Sequence, residues 1–209
     1  MSTRERLLTA TVEALRADGI AGVSARAIAA RAGVNQALVF YHFGSVTDLL
    51  RAATRASVEE SVASYRERFD RVESLTELLA LGRDLHERER EAGNVALMAQ
   101  VMAGGQQDAA LAEVAAYAMA TWRAEIESVV ARVVERGPLG ELVGADGLAS
   151  AIGAAFIGLE LLDGVDAPAA RSALAELERL GELLAVLDDL GPVASRAVVA
   201  ATRRRRSLG

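Results

Sequence analysis

Gly22-Val23-Ser24-Ala25-Arg26-Ala27-Ile28-Ala29-Ala30-Arg31-Ala32-Gly33-Val34-Asn35-Gln36-Ala37-Leu38-Val39-Phe40-Tyr41-His42-Phe43 is the stretch whose reading decides the fold. Ser24 is a helix N-cap, Ile28 and Ala29 are the apolar positions of the helix it opens, and Gly33 is its left-handed stop. A second short helix, over 35–41, follows at once. A small residue at Ala29 lets the two helices cross closely, Gly33 turns the chain, and Val34 and Val39 fill the wedge between them. This is the spacing of a helix-turn-helix.

Helices flank the motif on both sides. Ser2-Thr3-Arg4-Glu5 reads as a capping box, with Leu8, Val12 and Leu15 on one face of the helix it opens and Asp18-Gly19 closing it. Ser45-Val46-Thr47-Asp48 starts a long helix that runs to about Phe69. Further helices are expected over 75–91, 95–102, 108–136, 147–162 and 168–190. Gly104-Gly105, Gly137-Pro138 and Gly191-Pro192 act as breaks, and Pro168 sits at a helix start. The segment 193–209 holds Arg203, Arg204, Arg205 and Arg206, and a terminal run of like charge is expected to be frayed and solvated.

Composition agrees with an all-α chain: 52% of the 209 residues are hydrophobic, alanine and leucine dominate, and only three are proline. There is no cysteine, so disulfides, thiolate metal sites and a cysteine nucleophile are excluded. The N-terminus opens on charges, and the longest uncharged apolar stretch, 147–159, has 13 residues, short of the ~20 needed to span a membrane. A cytoplasmic protein with no membrane partner is the expectation.

The net charge is −6, but it is unevenly placed. Residues 1–51 hold six arginines against four acids, giving +2, so the remaining 158 carry −8. That division suits a nucleic-acid-reading head on an acidic body. All 23 basic residues are arginine, which excludes a phosphate-loop nucleotidase, whose motif needs lysine. His42 and His86 are the only histidines; His86 lies in a mixed-charge run read as a solvated helix face. With no nucleophile, metal set or phosphate loop in view, no enzyme, metal or cofactor is expected.

The run 22–43 closely resembles the DNA-binding head of the TetR family. Its markers are the Ser24 cap, Ile28-Ala29, the Ala32-Gly33-Val34 turn, the aromatic-His42-Phe43 close, and Leu49-Leu50 beyond it. The resemblance covers about the first 50 residues, and past them only the helical layout matches. It implies an all-α protein with a three-helix head at 1–46, a larger helical ligand-binding and dimerisation domain at 47–192, and a basic tail at 193–209. It implies a DNA-binding transcriptional regulator, a repressor released from a palindromic operator in double-stranded DNA by a small, mainly apolar effector. An activator on the same fold and a ligand-independent architectural DNA binder are the alternatives.

By the family's geometry Asn35, Gln36, Ala37 and Tyr41 face the major groove, where Asn and Gln can bond adenine edges and an alanine methyl can meet thymine. Ser24 and Arg26 hold phosphate at the start of their helix. The chain has Phe40 where the family usually has tyrosine and Val46 where it usually has lysine. Tyr41, His42, Thr47 and Arg51 are the candidates to supply the lost phosphate contacts.

In the body, Leu97, Met98, Val101, Met102, Tyr117, Met119 and Trp122 form an apolar, methionine-rich group on two neighbouring helices, the candidate effector site. Gln100, Thr121 and Arg123 are its candidate polar anchors. A homodimer is expected on the last two long helices. Ala151, Ala154 and Ala155 permit close approach there, and Leu177, Leu180, Leu184 and Leu187 form a seam.

Overall fold

The computed structural model describes residues 1–134, 140, 142–188 and 192–206. Among them the regular elements are all helical. Ser2 Oγ accepts the Glu5 N–H at 3.2 Å while Glu5 Oε2 accepts the Ser2 N–H at 2.7 Å. This reciprocal box starts α1, Thr3–Asp18. A 3-10 turn, Ile20–Gly22, leads into α2, Ala25–Ala32, and α3, Ala37–Phe43. Then come α4, Val46–Asp70; α5, Leu75–Glu91; α6, Asn94–Gly105; and α7, Ala109–Val134. The last three are α8, Ala145–Asp163; α9, Ala167–Asp188; and α10, Pro192–Arg206.

The structure departs from expectation at a glycine pair and at a proline. Gly104 and Gly105 do not break a helix; they form the last turn of α6. A Cβ on Gly104 would come within 2.6 Å of Leu111 Cδ1, and one on Gly105 within 3.0 Å of the Ala112 backbone. Glycine there eases the close approach of α7; it does not make a turn. At Pro192 the preceding helix has ended as expected, but an unexpected helix, α10, starts there, where the fixed φ and missing N–H of proline cost nothing. The segment expected to fray is helical through Arg206, with Val199 buried. The stops expected at Gly137-Pro138 and at Gly191 lie outside the described residues, as do the side chains of Leu184, Leu187, Arg205 and Arg206.

By internal packing the chain forms two compact units. The first comprises residues 1–64 and 89–121. Its head core joins Leu7, Ile28, Ala29, Val39 and Leu49, and a neighbouring core joins Leu15 and Leu50 to Leu97 and Val101 of α6 and Leu111 and Val114 of α7. The second comprises residues 65–88 and the described residues from 122 onward. Its core sets Tyr65, Phe69 and Val72 against Leu78, Leu81 and Leu85 of α5 and Ile126, Val129 and Val130 of α7. Arg132 Nη2 donates to the Phe69 and Val72 carbonyls at 2.7 and 3.2 Å, satisfying the end of α4.

Within that unit the mixed-charge run of α5 is not wholly solvated. Asp84 pairs with Arg68 and Arg88, and their hydrogen bonds hold its carboxyl below the usual carboxylate range despite some desolvation. His86, expected on a solvated face, turns inward: its Nδ1 meets the Glu160 carboxylate of α8, and its ring lies edge-on to Phe156 at 6.0 Å. The charged neighbours of His86 in sequence concealed an inward position beside buried Leu85 and eight residues beyond buried Leu78.

Candidate DNA-binding head

Ser24, in extended conformation, accepts the Ala27 N–H on Oγ at 3.2 Å and starts α2. At the other end Gly33 takes φ 63° and ψ 40°. Its N–H bonds to Ala30 O at 3.1 Å and the Val34 N–H to Ala29 O at 2.9 Å. These paired bonds make a Schellman turn, and only glycine enters it without strain. Arg6 of α1 reinforces the turn, Nη2 donating to Ala32 O at 2.5 Å and Gly33 O at 3.1 Å. The turn aims α3 so that Val39 is wholly buried between α1, α2 and α4.

The rest of α3 is turned outward. Ser24, Arg26, Asn35, Gln36, Ala37, Tyr41 and Thr47 are exposed, and His42 is half-buried with its ring edge-on to Tyr41 at 5.0 Å. Phe40, which sequence reasoning did not place on this face, is 48% exposed, and Tyr41 is 81% exposed. A seven-residue helix with Val39 as its one buried residue offers the signal that was missed: Phe40 and Tyr41 cannot both reach the small core. Asn35 Oδ1 accepts the Ala37 N–H at 2.8 Å, so Asn35 caps α3 and its amide nitrogen alone is uncommitted. Past Gly44, Ser45 Oγ accepts the Asp48 N–H at 3.0 Å and opens α4. Arg51, a candidate phosphate contact, is engaged within the chain. It pairs with Asp48 at 3.2 Å and with Glu113 of α7 at 2.9 Å, a partner no local pattern reveals.

A short helix buried on one side by a glycine turn and bare on the other is built to enter a groove. Residues 7–53 match the family model of bacterial regulatory proteins, tetR family. The head is thus of the tetR kind. No curated protein matches the chain. The TetR-like fold continues through the body. A Rhodococcus sp. protein described as a TetR-family transcriptional regulator is 22% identical over 88% of this chain and 100% of its own, with a TM-score of 0.73. The Streptomyces coelicolor A3(2) protein SCO7518, described as a transcriptional regulator, is 26% identical over 86% and 98%, TM-score 0.66. The multidrug binding protein EbrR, complexed with imidazole, is 25% identical over 85% and 95%, TM-score 0.59.

The candidate effector residues are divided between the two units, Trp122 falling in the second and the rest in the first. Leu97 and Val101 are buried and Met102 packs beside them in the first unit; Met98 and Met119 are half-buried. Tyr117 is in a polar setting: its hydroxyl donates to Glu59 Oε1 at 2.5 Å, and the Arg55 guanidinium lies 4.1 Å from its ring centroid. The bond to Glu59 pushes the phenol above its usual range. Trp122 belongs to the second unit, packed against Tyr65 and Phe69 at 5.9 and 6.4 Å between ring centroids. The three polar anchors are all engaged elsewhere. Gln100 Oε1 accepts the Ile20 N–H at 3.2 Å, Thr121 bonds to the Tyr117 carbonyl, and Arg123 pairs with Asp146 and Glu127.

Gln100 carries a consequence for the head. Gly19 takes φ 68°, and a Cβ there would lie 2.5 Å from Gln100 Oε1. One turn earlier on α1, Arg16 donates to Asn94 Oδ1 at 3.0 and 2.6 Å. Helix α6 is thus fastened to the end of α1 at two points.

Of the candidate dimer residues, Ala151 and Ala154 are exposed and Ala155 half-buried on α8. Leu177 and Leu180 on α9 are exposed at 37% and 56%. Leu183 and Val186, not anticipated, are exposed at 60% and 61%. By length and composition α8 is the one described helix that would suffice to cross a membrane, and little of it is buried within its own chain.

Proposed function

We propose that the chain is a transcriptional repressor acting in the bacterial cytoplasm, a homodimer that grips a palindromic operator through two heads and releases it when a small, mainly apolar molecule binds. One observation carries the DNA reading: Gln36, Ala37, Phe40 and Tyr41 stand exposed together while Val39 anchors the same turn in the core. No catalytic role is needed to account for these residues.

In this reading the Gln36 amide, with donor and acceptor both uncommitted, pairs with an adenine edge, and the Ala37 methyl meets a thymine methyl. Asn35, its oxygen spent on the cap, serves as a donor to an acceptor edge. Arg26, Ser24 with the α2 amides, and the flanking Tyr41, His42 and Thr47 hold the backbone. Selection of duplexes from a randomised pool by the wild-type protein should enrich a palindrome with half-sites about one turn apart, ~34–36 Å. Gln36→Ala should then cost about 1–3 kcal/mol per half-site and relax preference at one base pair while sparing the rest. Binding that does not discriminate the selected duplex from a shuffled one would end this reading.

The effector reading keeps Leu97, Met98, Val101, Met102, Tyr117 and Met119 and leaves Trp122 to the core of the other unit. Val101 is wholly buried against Leu15 and Leu50, so an effector enters by parting this cluster. Because Asn94 and Gln100 fasten α6 to α1, such a movement reaches the helix that carries Arg6 and the turn. EbrR's description as a multidrug binding protein supports seeking the ligand among varied apolar molecules. Coupling of this type is worth about 1–3 kcal/mol and is reciprocal. A compound library screened by release of labelled duplex should yield effectors whose action Met102→Ala blunts without changing effector-free DNA affinity. If nothing releases the duplex, the ligand-independent alternative stands.

A further inference from the structure

We propose that Arg4, in the first turn of α1, is a DNA-phosphate contact held in place by the last aromatic residue of the recognition helix α3. The inference rests on the head being a DNA binder. Of the six arginines in residues 1–51, four are engaged. Arg6 holds the Ala32 and Gly33 carbonyls, Arg16 holds Asn94, Arg31 pairs with Asp18, and Arg51 pairs with Asp48 and Glu113. A guanidinium tied to a carboxylate adds no net positive charge for a polyanion, and one tied to carbonyls has part of its donor fork used. Arg4 and Arg26 make no ion pair or hydrogen bond among the described residues. The neighbouring carboxylate does not claim Arg4, because Glu5 Oε2 is bound to the Ser2 N–H.

Arg26 sits at the start of α2, already in the DNA-facing set. Arg4 joins that set by a different route. Its guanidinium lies 5.3 Å from the centroid of Phe43, the final residue of α3, directly after exposed Tyr41 and half-buried His42. Stacking on the ring uses the face of the guanidinium and leaves its in-plane N–H donors for phosphate oxygens. It also restricts a long side chain before DNA arrives, which lowers the ordering cost of the contact.

The experiment measures affinity for the duplex enriched by the wild-type protein, and for a shuffled duplex of equal length, between 50 and 200 mM salt. Each phosphate neutralised contributes about −0.9 to the slope of log affinity against log salt, so Arg4→Gln on both protomers should flatten it by about 2. The deficit of the variant should therefore shrink roughly 10-fold across that range, equally for both duplexes. Arg4→Lys should keep most of the slope, Arg26→Gln should lose a similar amount, and Arg31→Gln should leave it unchanged. Since Arg4 is exposed, Arg4→Gln should melt with the wild type, which separates a lost contact from a damaged head. A slope for Arg4→Gln equal to the wild-type slope, with that of Arg26→Gln reduced, overturns the assignment alone. Failure of the wild type to enrich any duplex overturns the DNA-binding reading and this assignment with it.

Discussion

Leu180→Glu combined with Leu183→Glu is expected to leave the chain monomeric at the micromolar concentrations where the wild type sediments at twice its 21.9 kDa mass. Helix α9 has two faces. On one, Ala170 is buried, and a Cβ at Gly181 would fall inside the side chain of Leu79 of α5. That face is already used within the chain. From the edge of that face round to the far side, Leu177, Leu180, Leu183 and Val186 are exposed at 37 to 61%, and Leu161 and Val165 near the end of α8 are exposed at 49% and 89%. An apolar surface of this extent is expected to be an interface on which a two-fold axis sets each patch against its copy. Two glutamates per chain at the centre would bring four carboxylates together, each costing several kcal/mol to desolvate without a partner. Because these leucines are exposed in the single chain, the variant should keep its helical content. DNA affinity should fall about 10²- to 10⁴-fold, the loss expected when two linked half-site contacts become independent. Analytical ultracentrifugation with gel shifts checks both parts, and a wild-type chain that sediments as a monomer would reject the dimer.

Val39→Asp is expected to abolish specific DNA binding while the protein remains a dimer. Val39 has no exposed surface and lies among Leu7, Ile28, Ala29 and Leu49. An ionised carboxylate there has no polar partner, and its burial costs several kcal/mol, a large share of the ~5–15 kcal/mol that holds an ordinary domain together. The expected result is a head whose recognition helix has left its seat, seen as lost helicity by circular dichroism and a lower melting transition. Val39→Ala, which removes two methyl groups and leaves a small void, should cost about 2 kcal/mol and weaken binding only modestly. Wild-type binding by Val39→Asp would mean that α3 is not seated through this residue.

The head was legible in the sequence because its signals are local. The Ser2 and Glu5 box, the Ser24 cap and the Gly33 turn each involve residues within about five positions, and each is found where the pattern puts it. The set Ser24, Arg26, Asn35, Gln36, Ala37, Tyr41 and Thr47, placed outward by the resemblance of the head, is exposed in the structure. What escaped was decided by partners far away in the chain. Arg51 and Glu113 are 62 positions apart, His86 and Glu160 74, and Gln100 and Ile20 80. No spacing rule shows that Gln100 serves the head instead of a ligand, or that Trp122 joins Tyr65 and Phe69 instead of the methionines of α6. Glycine misled for a related reason: at Gly104 and Gly105 it answers a neighbouring helix, and sequence alone cannot tell a close approach from a turn.

The corner between α6 and α7 has a consequence in the genetics of such a regulator. The distance between the two helices is held at a minimum by the lack of a Cβ at Gly104 and Gly105, and a single-base change in either codon can install alanine. Alanine would favour the helix by about 1 kcal/mol over glycine while its methyl group pressed Leu111 or the Ala112 backbone away. The two effects oppose each other, so the net change in stability is small even as α6 shifts, and α6 is the helix fastened to the head through Asn94 and Gln100. Variation here can therefore shift the setting of the head without unfolding the chain and without touching a residue on the exposed face of α3. A lineage of such proteins can be retuned one base at a time from a site outside that face.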